Sequence, residues 1–147
     1  MLDLEVRLDR DGFGVDAAFA KNRGVTAIFG PSGAGKTTLA HLIAGLLRPD
    51  SGHIRFDGRT LFDAAETVWI PARLRRIGCV FQDARLFPHL TTGGNLRFGQ
   101  RMAGNAAPIL DWSKALEMFE LGPLLGRRVA GLSGGERQRV ALARALL

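Results

Sequence analysis

Hydrophobic and polar positions alternate from the first residues. Leu2, Leu4, Val6 and Leu8 are separated by Asp3, Glu5 and Arg7, a period of two that predicts a half-buried strand. Asp9-Arg10-Asp11-Gly12 reads as a turn, and Gly14 to Phe19 as the returning strand of a hairpin. Val25 to Phe29 is apolar except for Thr26, as expected of a strand covered on both faces. Leu39, Leu42, Ile43 and Leu46 then fall on one helical stripe, which Pro49-Asp50-Ser51-Gly52 ends. His53 to Phe56, Asp57-Gly58 and Arg59 to Leu61 read as a second, tighter hairpin with a two-residue turn. His53 takes an exposed position in that alternation, with no partner to suggest a metal site. Ile77 to Phe81 is a second candidate for a buried strand.

Beyond that run the texture changes. From Gln82 to Gly104 the turn residues Pro88, Gly93, Gly94 and Gly104 interrupt short apolar pieces. Trp112, Ala115, Leu116 and Phe119 mark an amphipathic helix, stopped by Gly122-Pro123. The last helical run, Arg139 to Leu147, follows Ser133, which is placed to be an N-cap. Glu136 at the third helical position would complete a capping box. No internal repeat or low-complexity tract is present.

Composition narrows the class without choosing a function. The 147 residues are 46% apolar and 23% charged, the size and balance of one globular domain. No apolar run approaches the ~20 residues of a membrane span, and the N-terminus lacks signal-peptide character. The single cysteine, Cys79, excludes an internal disulfide and fits a reducing compartment. It reads as a small buried hydrophobe rather than a nucleophile or ligand. The net charge of +6 admits nucleic acid or an anionic membrane surface as partners. Apart from Arg73-Arg75-Arg76 and Arg127-Arg128, however, the arginines are scattered, and no aromatic residues interleave with them. A solvated basic surface is the reading kept, with no nucleic-acid partner.

Chemistry enters at Gly30-Pro31-Ser32-Gly33-Ala34-Gly35-Lys36-Thr37, between the Val25–Phe29 run and the first helical stripe. Apolar strand, glycine-rich loop and helix is the order a phosphate-binding loop needs. The glycines allow a tight bend that points successive N–H groups at a polyphosphate, and the helix start adds its positive dipole end. Lys36 is placed to meet the β- and γ-phosphates, and the Thr37 hydroxyl to meet Mg²⁺. The plainer alternative is a glycine-rich turn that binds nothing. At Leu132-Ser133-Gly134-Gly135-Glu136-Arg137-Gln138 the plain reading is a well-capped helix. A cap does not require two glycines after it, though, and Gly134 and Gly135 bare the backbone N–H groups of a second anion-binding helix start.

Together, Gly30–Thr37, Gln82 after the Ile77–Phe81 run, and Leu132–Gln138 resemble the Walker A, Q-loop and signature motifs of ABC-type ATPases, in order and in spacing. The likeness spans essentially the whole chain, and the signature heptapeptide is its specific part. Gln82-Asp83-Ala84-Arg85-Leu86-Phe87-Pro88-His89 and Asn95-Leu96-Arg97-Phe98-Gly99 are similar to the ATP subunits of bacterial importers, closest in wording to those for molybdate. The resemblance implies an α/β fold: a P-loop NTPase core with an N-terminal antiparallel β part and an inserted helical subdomain, incomplete at the C-terminus. In residues, 1–82 would be the core with Walker A, 83–130 the helical subdomain, and 131–147 the signature motif and its helix.

The resemblance further implies ATP and Mg²⁺ as cofactors, with Gly30 through Thr38 (Thr38 included) around the nucleotide. Two copies would pair head to tail, so that Ser133, Gly134 and Gly135 of one complete the ATP site on the loop of the other. Lys36 and Gln82 would be the catalytic residues, with Thr37 and Gln82 on Mg²⁺ and Gln82 also meeting the attacking water. Integral membrane permease subunits and, indirectly, a periplasmic solute-binding protein would be the partners, at the cytoplasmic face of the inner membrane. A nucleotide-binding ABC ATPase of DNA repair or of the ribosome is the alternative, and the short 83–130 segment speaks against it.

Three departures qualify the likeness. The aromatic residue expected to stack on adenine is not evident: the chain has no tyrosine, and Phe13 is the nearest candidate, with a packing role an equal reading. After Leu147 nothing supplies the apolar strand ending in Asp, the catalytic Glu or the switch His of the family. Asp83 and Asp111 are poor substitutes, so the 147-residue chain is expected to bind ATP but not to hydrolyse it. Finally, Val25–Phe29 would lack its usual neighbouring strand and would expose backbone and apolar side chains.

Overall fold

The computed structural model describes residues 1–10, 12–22, 24–104 and 108–147. It divides into two compact units, Met1–Ile77 and Gly78–Leu147. Asp11 of the first predicted turn lies outside the described residues.

The first unit is built on the two predicted hairpins. Strands β1 (Leu2–Arg10) and β2 (Phe13–Lys21) pair antiparallel, with Leu4 opposite Phe19 and Leu8 opposite Val15. β3 (Ser51–Phe56) pairs with the other edge of β1, and β4 (Arg59–Asp63) and the short β5 (Val68–Trp69) extend the sheet in the order β2-β1-β3-β4-β5. The period of two works as predicted: Leu4, Val6 and Leu8 are buried while Glu5, Arg7 and Asp9 are exposed. Asp57 and Gly58 turn the second hairpin with φ of 46° and 78°, the paired left-handed geometry of a two-residue turn. Helix α1 (Lys36–Ala44) lays Leu39 and Leu42 on the core of Leu4, Val6, Leu8, Val15, Ile54, Leu61 and Phe62.

Several sequence expectations are corrected here. Helix α1 stops at Gly45 rather than near Pro49. Gly45 takes the left-handed cap conformation and the Leu46 N–H returns to the His41 carbonyl at 2.9 Å, so Leu46 leaves the stripe and is half exposed. His53 is half-buried rather than exposed, because its Nε2 lies 3.4 Å from Asp3 Oδ2 on the adjoining strand. Val25–Phe29 is not a strand, since no described segment pairs with it. Val25 and Phe29 are 94% and 90% exposed, the outcome expected of an apolar run without a neighbour. Ile77–Phe81 likewise joins no ladder among the described residues. Arg75, assigned from the sequence to a solvated surface, is 3% exposed. It is the last residue of α2 (Ala72–Arg75), and Nη1 donates to the Leu42 and Ile43 carbonyls at 2.8 Å each. Nε donates to the Ile70 carbonyl at 2.7 Å, and the guanidinium lies over Trp69. Burial lowers its pKa from the ordinary arginine value. Arg75 thereby satisfies C-terminal carbonyls of α1, the helix that begins at the Gly30–Gly35 loop.

The second unit is helical: α3 (Thr92–Ala103), α4 (Trp112–Met118) and α5 (Gly134–Leu146), with single 3₁₀ turns at Gly122–Leu124 and Val129–Gly131. Its core holds Leu96, Ala115, Leu121, Leu124, Leu132, Val140, Ala143 and Leu147. Helix α4 forms where the apolar stripe predicts it. Helix α3 does not follow from the glycines at 93 and 94, which read as turn residues. They occupy its first turn, where Thr91 Oγ1 accepts from the Gly94 N–H at 3.1 Å, and the Gly93 N–H donates to the Leu125 carbonyl at 2.9 Å. Cys79 is half-buried, and burial raises its thiol pKa, in keeping with a hydrophobe rather than a nucleophile. Among the described residues no helix is long and apolar enough to cross a membrane.

Candidate functional site

The loop Gly30–Gly35 leads into α1 through a left-handed pair. Gly33 has φ 82° and Gly35, the N-cap of the helix, has φ 84°. No side chain caps that helix start, so its first N–H groups have no side-chain acceptor at the positive end of the helix dipole. Ser32, Gly33, Gly35, Lys36, Thr37 and Thr38 line one open pocket of about 330 Å³ together with Phe13. Gly30, Pro31 and Ala34 complete the same loop, and the Ala34 N–H donates to the Pro31 carbonyl at 3.3 Å.

Lys36 lines this pocket and folds back onto the loop. Its Nζ donates to the Gly30 carbonyl at 2.8 Å and the Pro31 carbonyl at 2.6 Å. A lysine ammonium has three protons, so this grip fixes the charge over the loop mouth and leaves one donor for an incoming anion. Gly35 is required by space as well as by φ. A Cβ there would stand 2.7 Å from Val15 Cγ2 and 3.3 Å from Phe13 Cζ. The β1–β2 hairpin thus backs the loop, and the partly exposed Phe13 ring stands at the pocket wall.

The remaining candidates lie in the second unit. Gln82 occupies an exposed turn, followed by Ala84 and Arg85 at φ 58° and 42°. Ser133 caps α5 with both halves of the predicted capping box. Its N–H donates to Glu136 Oε2 at 2.6 Å, and its Oγ accepts from the Glu136 N–H at 3.2 Å. The hydrogen bond from the Ser133 backbone holds the Glu136 carboxyl below its usual pKa. Gly134 and Gly135 are exposed, and a Cβ at either would meet nothing within 4 Å. The structure therefore gathers Ser32, Gly33, Gly35, Lys36, Thr37, Thr38 and Phe13 into one pocket, and gives Ser133, Gly134 and Gly135 as a capped, exposed helix start in the other unit.

Sequence reasoning missed Arg75 and Asn95. Asn95 is fully buried, accepting from the Phe87 N–H at 2.8 Å while its amide donates to the Phe87 and Thr91 carbonyls at 3.2 and 3.1 Å. Because α3 cannot be read from Gly93 and Gly94, nothing local in the sequence marks Asn95 as buried.

Comparison with known proteins fits this geometry. The ABC transporter family model matches residues 17–147. The chain is 51% identical over 146 residues to the molybdenum import ATP-binding protein ModC of Rhizobium meliloti (strain 1021), covering 99% of this chain and 41% of that protein. It is 52% identical over 135 residues to the protein of that name from Mesorhizobium japonicum, covering 92% of this chain and 36% of the relative. The chain thus spans about two-fifths of the length of the curated relatives it matches. Among solved structures, a dimeric ATP-binding cassette in a post-hydrolysis state with ADP and Pi aligns with TM-score 0.72 and 30% identity, over 99% of this chain and 69% of that one. An ATP-binding subunit of an ABC transporter aligns with TM-score 0.76 and 27% identity, over 97% and 60%. The Gly35 and Ser133 helix starts thus stand on a fold similar to that of ATP-binding cassettes, and the chain belongs to the ABC transporter family.

Proposed function

We propose that this chain is the nucleotide-binding part of the ATP-binding subunit of a molybdate importer. The pocket under Lys36 carries the reading. A left-handed glycine loop, an uncapped helix start and a pinned ammonium converge on a space that suits a polyphosphate. Lys36 would neutralise charge on the β- and γ-phosphates, and Ser32 through Thr38 would supply N–H and hydroxyl donors. The Thr37 hydroxyl suits Mg²⁺, whose other ligands would come largely from nucleotide and water, as is usual for this ion. Gln82 would act on Mg²⁺ and the attacking water. Phe13, standing at the pocket wall, is the side chain available to the base.

The exposed Gly134 and Gly135 support assembly with a second copy, since a Cβ at either would meet nothing within 4 Å in this chain. Ser133, Gly134 and Gly135 would then close the ATP held by the partner's loop. Molybdate as the transported solute is suggested by relatives named for molybdenum import; permease subunits as membrane partners and a peripheral position on the cytoplasmic face belong to the same reading as an importer subunit. Equilibrium titration with ATP tests the core of the proposal: Lys36→Ala is expected to weaken binding at least about tenfold, the scale of a lost charge-assisted contact. Equal affinity in the two proteins would sink it.

A further inference from the structure

Arg144 stands near the far end of α5, eleven residues beyond the Ser133 cap, a span of about 16 Å along a helix. Its guanidinium reaches the loop that follows Gln82. Nη2 donates to the Ala84 carbonyl at 3.3 Å and Nη1 to the Arg85 carbonyl at 3.0 Å. These carbonyls belong to the two consecutive non-glycine residues with left-handed φ, a conformation that side chains with a Cβ adopt only when the surroundings hold it. The fork of a guanidinium suits two neighbouring oxygens in a way that an ammonium does not.

The grip is fixed from a second side. Arg144 Nη1 lies 3.4 Å from Oδ1 of the buried Asn95, the atom that also accepts from the Phe87 N–H, and the guanidinium sits over the Phe87 ring at 5.5 Å. Arg85 lies in turn over Phe81 at 4.1 Å. Helix α3 allows this approach only because residue 99 is glycine. A Cβ there would overlap the Arg144 backbone oxygen and stand 2.9 Å from Arg144 Cγ. One side chain on the signature helix thus holds the strained turn two residues after Gln82.

We propose that Arg144 is a positioning residue for Gln82, tying the turn that carries it to the helix that begins at Ser133-Gly134-Gly135. Displacement of the signature end of α5 is then passed to Gln82 through a rigid helix and two hydrogen bonds. The functional half of this inference rests on the reading that Gln82 acts on nucleotide-bound Mg²⁺; the structural half does not.

Two measurements on the whole chain test the two halves, using Arg144→Met, which keeps an apolar stem, and Arg144→Lys, which keeps charge without the fork. Hydrogen exchange reads the clamp without nucleotide. Exchange at the amides of 84–87 should accelerate about tenfold or more in Arg144→Met, the equivalent of one lost hydrogen bond, and less in Arg144→Lys, while protection around Leu96 and Val140 is retained. No change at 84–87, or an equal rise across the whole helical unit, would overturn the proposal. Should Arg144→Met fail to fold, Arg144→Lys carries the same comparison. ATP titration with Mg²⁺ and with EDTA reads the coupling. Gln82→Ala and Arg144→Met should each lower the Mg²⁺-dependent gain in affinity, and the double variant should lose no more than the larger single loss. A full Mg²⁺-dependent gain in Arg144→Met, or strictly additive losses, would overturn the coupling. A wild-type chain with no Mg²⁺-dependent binding would remove the reading of Gln82 itself, and the exchange pattern would still decide for or against the clamp.

Discussion

Gly35 and Gly134 are both glycines at helix starts, yet the structure asks different things of them. At Gly35, φ is 84° and a Cβ would press on Val15 and Phe13, so Gly35→Ala meets conformational strain and overlap together. It is expected to destabilise the first unit by about 1–3 kcal/mol and to weaken ATP binding, because the hairpin behind the loop must yield. At Gly134 nothing lies within 4 Å, and alanine is a better helix former. Gly134→Ala should therefore leave the melting temperature of the isolated chain unchanged or slightly raised, so its glycine answers no need of this chain's own packing. Thermal melting of the two variants side by side checks both statements; equal destabilisation would show that the contrast is wrong. Arginines divide in a comparable way. Arg75 and Arg144 make backbone-directed guanidinium contacts, but in the sequence they are two more members of a scattered basic set. Nothing local marks them, because their partners are carbonyls, which every residue has.

At the scale of the element, caps set the helix starts, and one cap has a readable pH dependence. Asp111 precedes α4, accepting from the Lys114 N–H at 2.9 Å and from Ser113 Oγ at 2.7 Å. The hydrogen bond from the Lys114 backbone, then that from Ser113, lowers the Asp111 pKa to about 2. A carboxylate depressed in the folded state stabilises above its unfolded value, near 3.9, and loses that contribution as pH falls through the folded value. Asp111→Ala should thus melt below wild type at neutral pH, and the difference should shrink between about pH 4 and pH 2. A gap that is constant with pH would show that the carboxylate charge is irrelevant to the cap. The same local rules explain which elements were legible. The two hairpins and the α5 capping box follow from period-two alternation, Asp57-Gly58 and the Ser133/Glu136 spacing, all of which act within a few residues. Helix α3 was not legible, because Gly93 and Gly94 look like turn formers and their acceptance depends on Thr91 and on the Leu125 carbonyl. Val25–Phe29 and Ile77–Phe81 have strand composition, but a strand exists only with a hydrogen-bonded neighbour, which composition cannot supply.

For the whole molecule, binding and turnover separate. Phosphoryl transfer to water needs a positioned nucleophile and neutralised charge on the γ-phosphoryl group. On the proposed reading, Lys36 and the α1 start would address the charge, and the loop pocket would position the phosphates. Within the 147 residues, however, no apolar run ends in an adjacent Asp-Glu pair, the arrangement that would hold Mg²⁺ and orient water in this family. Asp111 is engaged in capping α4, and Asp83 pairs with Arg85 at 3.3 Å in an exposed turn, so neither is free to replace it. The isolated chain is therefore expected to bind ATP through a Lys36-dependent site while releasing phosphate at the rate of a buffer control. Phosphate release measured with excess Mg²⁺ and ATP, alongside Lys36→Ala, checks this. Turnover well above background that vanishes in Lys36→Ala would mean that the residues present already complete a hydrolytic site. Background turnover with intact, Lys36-dependent binding places the missing acid outside these 147 residues, consistent with a chain that covers two-fifths of its relatives. Adding a longer polypeptide that carries that acid should then restore phosphate release without changing the affinity set by the loop.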